Sequence, residues 1–190
     1  AKATSSFNLS IPNKVYSPIG FICKPTDIIG NGLITFVSLD QSVATINSDT
    51  GLVQMNKAGT AKIIATQNES DQYIGSSKTI KFNISKAVSS FDYSIPDMDF
   101  TQNPFAKSPE NIVGPINPVF KYSSSNSSIA TVNELTGLIQ ILKSGTVTIT
   151  ATLVESDQYT GCSVNATFNI TKSSSSFNYS IQNKTFTPIP

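Results

Sequence analysis

The sequence predicts an all-β chain of tandem β-sandwiches, and three observations carry this prediction. First, the phrase Ser-Ile-Ala-Thr-Val at 128–132 repeats Ser-Val-Ala-Thr-Ile at 42–46, and matching positions such as Gly51 and Gly137 stand 86 positions apart. A fixed long offset is typical of a tandem array. Second, each repeat holds six or seven short apolar runs separated by Gly, Asn, Asp and Ser turns, as in a β-sandwich. Third, no segment shows the 3.6-residue period of an amphipathic helix.

The repeats divide the 190 residues into three parts. We expect one small sandwich over residues 1–87 and a second over residues 88–173, each near the lower size limit for a self-supporting core. Residues 174–190 open with the same phrase as both repeats. We expect this segment to be the first strand of a third repeat, in a chain that continues, or a strand donated to a neighbouring subunit. Its apolar face for strand exchange would consist of Phe177, Tyr179 and Ile181.

Each repeat begins with an alternating apolar strand, at 7–11 and 91–95, whose period of two places alternate side chains on one face. Passages with clustered proline and glycine follow, at 14–32 and 98–118. The opening strands stand 84 positions apart and everything from residue 34 onward stands 86 apart, so the two-residue length difference falls in these passages. Because insertions settle in loops, we expect exposed and variable loops here.

The sequence that follows these passages in each repeat predicts short, regularly spaced strands. Thr-Gly pairs at 50–51 and 136–137, and Gly-Thr pairs at 59–60 and 145–146, predict turns with positive φ. The predicted strands are 34–37, 43–46, 52–55, 62–65 and 80–84, with counterparts at 120–122, 129–132, 138–141, 147–151 and 166–170.

The links between repeats, residues 85–88 and 171–174, are short and contain no glycine. Such links restrict bending, so we expect neighbouring domains to stack end to end as a rod.

Composition excludes several classes of partner. The net charge is +1 with 13% charged residues, and no run of like charges is present, so nucleic acid is not an expected partner. The apolar runs are far shorter than the roughly 18 residues that span a bilayer, so membrane insertion is not expected either.

The sequence predicts no enzyme, no cofactor and no metal site. Histidine is absent, which removes the usual general base and most zinc sites. The acids lie mostly in predicted turns, where they are expected to be solvated. Calcium at the linkers would need six to eight oxygen ligands, whereas Asp92 is the nearest acid at the first linker and the second has no acid near it.

The motifs resemble the bacterial immunoglobulin-like group 2 (BIG2) repeat. The resemblance rests on Ser-Ile-Ala-Thr-Val-Asn-x-x-Thr-Gly-Leu-Ile (128–139) and Gly-Thr-Val-Thr-Ile-Thr-Ala-Thr (145–152), each with a counterpart in the first repeat. It covers nearly the whole chain twice and implies immunoglobulin-like β-sandwiches. Such modules recur as stalks, spacers and binding domains in bacterial surface proteins, phage structural proteins and large-virus proteins.

The two cysteines, Cys23 and Cys162, lie at non-equivalent positions and align with Lys107 and Ser76. They therefore cannot form the core disulfide of antibody-type domains. They are either two buried or half-buried thiols or a bridge between modules or chains, which would need an oxidising location.

Eight Asn-x-Ser/Thr sequons are candidate N-glycosylation sites if the chain passes through a glycosylating pathway. They lie at Asn8, Asn68, Asn83, Asn126, Asn165, Asn169, Asn178 and Asn183.

Tyr73 and Tyr159 follow Asp-Gln in both copies. We expect them to pack over the end of the sandwich with their hydroxyls on backbone; the alternative is a sugar-stacking role, which the absence of Trp disfavours.

The sequence thus favours a structural repeat module in a long protein at the cell surface or outside the cell, or at a virion or phage surface. Its partners would be neighbouring copies of the same repeat or chain. The alternative is an adhesin whose loops at 14–32 and 98–118 bind a surface receptor or glycan.

Overall fold

The computed structural model describes residues 1–186, and every regular element in them is a β-strand. The all-β prediction is confirmed. In the first repeat the strands are β1 (Ala3–Thr4), β2 (Ser6–Asn8), β3 (Lys14–Val15), β4 (Phe21–Ile22), β5 (Thr26–Ile29), β6 (Ile34–Ser38), β7 (Ala44–Ile46), β8 (Leu52–Met55), β9 (Gly59–Gln67), β10 (Tyr73–Ile74) and β11 (Ser76–Ser85). In the second they are β12 (Ser90–Asp92), β13 (Met98–Asp99), β14 (Phe105–Ala106), β15 (Glu110–Val113), β16 (Phe120–Ser124), β17 (Ala130–Val132), β18 (Leu138–Ile141), β19 (Gly145–Leu153) and β20 (Cys162–Thr171).

Both repeats share one sheet topology, except that the parallel β1–β10 pair of the first repeat is reduced to a single bridge between Ala87 and Tyr159 in the second. A four-stranded sheet has the order β3-β11-β9-β6 in the first repeat and β13-β20-β19-β16 in the second. Facing it are a three-stranded sheet, β4-β8-β7 or β14-β18-β17, and a two-stranded one, β2-β5 or β12-β15. The long antiparallel pairs β9–β11 and β19–β20 form the centre of each four-stranded sheet. The layered arrangement is the predicted immunoglobulin-like β-sandwich.

Each repeat has its own apolar core. Along β19 buried and outward-facing residues alternate, and the buried set fills the space between the sheets, as the period of two requires. Val147, Ile149 and Phe168 belong to the core of the second repeat, which draws on residues 91–170 alone. The core of the first repeat draws only on residues 7–84. The boundaries proposed at 87/88 and 173/174 lie between and after these two cores.

The ten predicted strands after the loop passages each overlap an observed strand. The predicted positive-φ turns are also confirmed, with φ of +70° at Gly51 and +69° at Gly137. A Cβ on Gly51 would stand 2.7 Å from the Cys23 carbonyl oxygen, so glycine is required there by space as well as by conformation. The opening strands extend only over three residues, yet Phe7 and Phe91 are buried on the predicted face.

The loop passages were predicted incorrectly in one respect, because they contain strands. In the first repeat β3 pairs with β11, β4 with β8 and β5 with β2. The β3–β11 pairing is parallel and joins Lys14 to Ile84, some 70 residues away along the chain. Local turn signals do not reveal such distant pairing. The predicted exposure does hold for β5 and β15, whose residues are all exposed.

The turn between β6 and β7 contains an ionisable side chain, whereas the equivalent turn between β16 and β17 contains an uncharged one. In the first, Oδ1 of Asp40 accepts hydrogen bonds from the Ser42 hydroxyl at 2.6 Å and the Ser42 amide at 3.0 Å. These bonds, the side-chain one foremost, lower the pKa of Asp40. In the second repeat the equivalent residue is Asn126, whose Oδ1 accepts from the Ser128 amide at 3.0 Å and does not titrate.

We therefore expect an acid-dependent loss of stability from Asp40 in the first repeat. Because its folded pKa is lowered, its contribution is present above the unfolded value of about 3.9 and disappears as the pH falls through the folded pKa. Urea unfolding of the wild type and Asp40→Asn between pH 2 and 6 measures the difference, which should shrink at the acid end. Asn126→Asp should create the same dependence in the second repeat, and a pH-independent difference for Asp40→Asn would contradict the assignment.

The junction between the repeats as candidate functional site

Two surface segments meet where one repeat follows the other. The first is the turn between β8 and β9, residues 56–58, which we name the acceptor turn; its equivalent in the second repeat is 142–144. The second is the loop between β19 and β20, residues 154–161, which we name the docking loop; its equivalent in the first repeat is 68–75. The docking loop of the second repeat lies against the acceptor turn of the first.

Two hydrogen bonds join these segments. The Ala58 amide donates to the Asp157 carbonyl oxygen at 2.9 Å. The Gln158 side chain returns a bond, because its Nε2 donates to the Asn56 carbonyl oxygen, also at 2.9 Å. Backbone groups at both ends of the acceptor turn are thus satisfied by the neighbouring repeat, and the relative position of the two segments is fixed at two points.

An aromatic contact lies beside these bonds. The rings of Tyr16 and Tyr159 pack edge to face, with centroids 5.4 Å apart and an interplanar angle of 70°. This is the favourable geometry for two aromatic quadrupoles. Tyr159 therefore packs over the end of its sandwich, and the surface it covers belongs to the preceding repeat.

The linker is bonded into the same assembly. Ala87 donates its amide to the Gln158 carbonyl oxygen and accepts from the Thr160 amide, both at 2.9 Å. Lys86 forms an ion pair with Glu155. The first repeat makes the equivalent contacts through its own residues 2–3. Residues 86–87 therefore act as the first strand of the second repeat, which shortens the link between the two sandwiches.

The docking loop is shaped by its own hydrogen bonds. The Ser156 amide donates to the Tyr159 carbonyl oxygen at 3.0 Å, and the Ser156 hydroxyl accepts from the Tyr159 amide at 3.0 Å. Ser70 and Tyr73 make the same two bonds in the first repeat, at 3.0 and 3.2 Å. The loop conformation is therefore set by the same internal hydrogen bonds in both repeats.

A shallow cavity of about 290 Å³ opens beside the junction. Its walls are Tyr16, Pro18, Gln158, Tyr159 and the segment 114–117. No acid, cysteine or lysine lies in this lining, and its ionisable side chains are those of Tyr16 and Tyr159. The described residues 1–186 contain no cluster of three or more His, Cys, Asp or Glu side chains that could hold a metal ion. None of their segments is a helix long and apolar enough to span a membrane.

The structure places all eight sequon asparagines on the surface. Several use the side-chain oxygen in cross-strand bonds, as where Asn83 accepts from Thr60 and Asn165 accepts from Thr150, both at 2.8 Å. Their glycosylation stays a prediction.

The two cysteines are free thiols in different surroundings. Cys23 is 2% exposed within the core of the first repeat, and burial raises its pKa to about 11. Cys162 is half-buried, and burial raises its pKa as well. A disulfide through Cys23 would require the core of the first repeat to open, whereas the Cys162 thiol is only half-buried. The predicted bridge between modules or chains stays a prediction.

The apolar face proposed for strand exchange is exposed. Phe177, Tyr179 and Ile181 are 88%, 77% and 75% exposed, whereas the equivalent Phe91, Tyr93 and Ile95 are each 6% exposed. Residues 187–190 of this segment lie outside the described part of the chain. The strand-exchange role stays a prediction. In that role a partner would cover three side chains whose equivalents in the second repeat are buried.

Sequence reasoning singled out Tyr159 but missed Gln158, Asn56 and Ala58 as junction residues. The Asp-Gln-Tyr phrase of each docking loop was the available signal. Its partner is a three-residue turn that binds through backbone groups, and backbone acceptors carry no side-chain signature.

Comparison with known proteins supports the family resemblance. The family model described as bacterial Ig-like domain (group 2) matches residues 26–76 and 116–164, just over half of the chain. No curated protein matches the sequence.

Among solved structures, the chain is similar to Drosophila N-cadherin EC1-3, with 13% identity and a TM-score of 0.32 over 90% of this chain and 69% of that one. It is similar to surface layer protein SbsC domains 1-6, with 15% identity and a TM-score of 0.38 over 96% and 30%. For human protocadherin-24 EC1-2 the identity is 10% and the TM-score 0.35, over 91% and 100%. With TM-scores below 0.5, these likenesses carry no argument about function. The two matches to the family model, one in each repeat, mean that the chain belongs to the bacterial Ig-like domain (group 2) family.

Proposed function

We propose that this chain is a non-catalytic structural module of a longer surface-exposed protein, in which stacked immunoglobulin-like repeats provide length and stiffness. Membership of the bacterial Ig-like group 2 family supports the repeat character of the module. The junction carries the proposal, because it converts a four-residue link into a bonded contact between domains. Its function is mechanical, and the partners of each repeat are its neighbours in the stack.

The energy of the junction is sufficient to stiffen the pair. Each hydrogen bond contributes about 1 kcal/mol and an aromatic pair about 0.5–1.5 kcal/mol, so the contacts at Asn56, Ala58 and Tyr16 give roughly 3 kcal/mol together. A difference of that size holds the undocked population near one in a hundred, by the usual relation between free energy and population. Bending should therefore be rare in the intact pair.

Removing the junction side chains is expected to uncouple the repeats. In Gln158→Ala/Tyr159→Ala one hydrogen bond and the aromatic contact are lost, so the repeats should tumble separately and the distribution of end-to-end distances should broaden. The measurements are ¹⁵N relaxation of each repeat and small-angle X-ray scattering.

The matched control is Gln72→Ala/Tyr73→Ala in the same 190-residue chain, which removes the equivalent side chains from the loop of the first repeat, outside the junction. It should leave the common tumbling of the two repeats unchanged. If the wild-type repeats already tumbled independently, or if both double variants behaved alike, the mechanical role of the junction would be refuted.

A second candidate function, adhesion through the predicted binding loops, is favoured by one observation. Ile28 and Ile29 on β5 are 50% and 54% exposed, and the equivalent Ile112 and Val113 on β15 are 39% and 55% exposed. An apolar pair exposed at the same place in both repeats suits contact with a receptor. Serine at these positions would abolish attachment without shortening the protein if the chain is an adhesin, and would leave a purely mechanical role intact.

A further inference from the structure

The cavity of about 290 Å³ beside the junction, which we name the junction cleft, is built by both repeats. The first repeat contributes Tyr16 and Pro18, and the second contributes the segment 114–117 together with Gln158 and Tyr159. The passages 14–32 and 98–118, which the sequence predicts as the binding loops of an adhesin, therefore meet at this one place. Neither repeat forms the cleft alone.

The junction cleft has a neutral lining, because none of its side chains is charged at neutral pH. Pro18, Pro115 and Ile116 supply apolar surface, and Ile116 is 97% exposed to solvent. A charged ligand would lose hydration here without gaining a counter-charge. The cleft therefore suits a neutral ligand that has an apolar face.

Four polar side-chain groups of the lining are not used inside the protein. Among the described residues, no intramolecular hydrogen bond is formed by the hydroxyls of Tyr16 and Tyr159, the side-chain amide of Asn117 or Oε1 of Gln158. Nε2 of Gln158 is occupied, since it donates to the Asn56 carbonyl oxygen. The hydroxyls and the Asn117 amide can donate, whereas the free Gln158 oxygen only accepts. A ligand that satisfies all four groups must therefore both donate and accept.

Two aromatic rings stand side by side in the lining. The ring centroids of Tyr16 and Tyr159 are 5.4 Å apart, and both residues are half-buried, so part of each side chain remains accessible. The absence of Trp disfavours sugar stacking at Tyr159 in the sequence, but the structure places a second tyrosine beside it. The cleft volume lies at the lower limit of ligand pockets, which measure about 300–1,000 Å³. The cleft therefore accommodates one ring-sized group rather than an extended chain.

We propose that the junction cleft binds a neutral hexose residue of a glycan. A hexose ring has an apolar C–H face that packs on an aromatic side chain, and its hydroxyls donate and accept hydrogen bonds with groups such as those of Asn117 and Gln158. A proline-rich peptide, which also binds aromatic grooves, fits less well, because proline has no N–H to donate to the Gln158 oxygen.

The inference specifies a ligand class for adhesion, the second candidate function. It goes beyond the mechanical role but depends on the same junction, because residues of both repeats line the cleft. A bound sugar would contact both repeats at once and would favour their docked arrangement.

The test is a ¹⁵N–¹H correlation spectrum of the 190-residue chain, titrated with the methyl glycosides of glucose, mannose, galactose and N-acetylglucosamine. The methyl group stands in for the rest of a glycan chain. A single ring in a shallow cleft binds weakly, so the titration extends to about 50 mM glycoside. We expect at least one glycoside to shift the amide signals of Asn117, Gln158 and Tyr159, together with that of Tyr16 in the other repeat.

Asn117→Ala removes one hydrogen-bonding group of the cleft and none of the junction contacts. It should weaken binding of that glycoside about five-fold, because a hydrogen bond is lost. The matched control is Asn31→Ala, which changes an exposed asparagine of the first repeat outside the cleft and should leave the affinity unchanged. Equal affinities of Asn117→Ala and the wild type would contradict the proposed site.

The remaining outcomes separate this inference from the mechanical role. If no glycoside shifts these signals, or if the shifts concentrate on another surface, the inference is overturned. A polyproline peptide is the competing probe, and shifts with this peptide but not with the glycosides would also overturn it. In these cases the mechanical role stands as long as the two repeats tumble together. If ¹⁵N relaxation shows that they tumble separately, the cleft does not form and both proposals fail.

Discussion

Replacing Phe168 by alanine is expected to destabilise the second repeat strongly and leave the first folded. Phe168 is 1% exposed on β20 and packs in a core confined to the second repeat. Truncating a buried phenylalanine costs about 3–5 kcal/mol, because apolar contacts are lost and a cavity remains. A domain of this size has a total stability of only about 4–13 kcal/mol, so the repeat becomes marginal. Backbone amide NMR signals followed through a urea titration report the two repeats separately.

The matched variant is Phe82→Ala, which removes the equivalent side chain from the first repeat. Phe82 is 2% exposed in a core drawn from residues 7–84. This variant should lower the free energy of unfolding of the first repeat by a similar amount. Thr167→Ala, at the neighbouring exposed position on β20, should change stability little. If either phenylalanine variant unfolded both repeats together, the two sandwiches would be one cooperative unit rather than two.

Replacing Gln67 by leucine is expected to stabilise the first repeat. Gln67 is fully buried at the end of β9, and neither its Nε2 nor its Oε1 has a hydrogen-bond partner among the described residues. The equivalent residue in the second repeat is Leu153, which is also fully buried. Removing a buried amide without a partner recovers its desolvation cost, about 1–3 kcal/mol. The increase should appear as a higher urea midpoint for the first repeat alone.

The reciprocal variant Leu153→Gln tests the same reasoning in the other direction. It should lower the stability of the second repeat by at least a comparable amount, since it introduces the amide and removes apolar packing. A loss of stability in Gln67→Leu would contradict the prediction and would indicate that the amide binds a buried water.

Acid sensitivity and junction rigidity complete the set of expected differences between matched sites. Asp40 titrates where Asn126 does not, and Tyr159 contacts Tyr16 across the junction whereas Tyr73 lies outside it. In each case the internal duplication supplies a control of nearly identical local structure, so a measured difference reports the one feature that distinguishes the pair.

The sequence by itself determined the fold class and the repeat organisation. The fold class follows from the alternation of apolar residues, which determines the buried face of each strand. The repeat organisation follows from the constant offset between matching positions. The positive φ of Gly51 and Gly137 was predictable because the residues that permit a tight turn lie within the turn itself.

Only the tertiary structure decided the short strands β3, β4 and β5 and the contacts at the junction. Lys14 pairs with a strand some 70 residues away, and Ala58 meets Asp157 from the other repeat through backbone atoms. Pairing of this kind depends on which segments the folded sheets bring together. Backbone donors and acceptors are present at nearly every residue, so the amino-acid sequence does not indicate which of them form hydrogen bonds between the repeats.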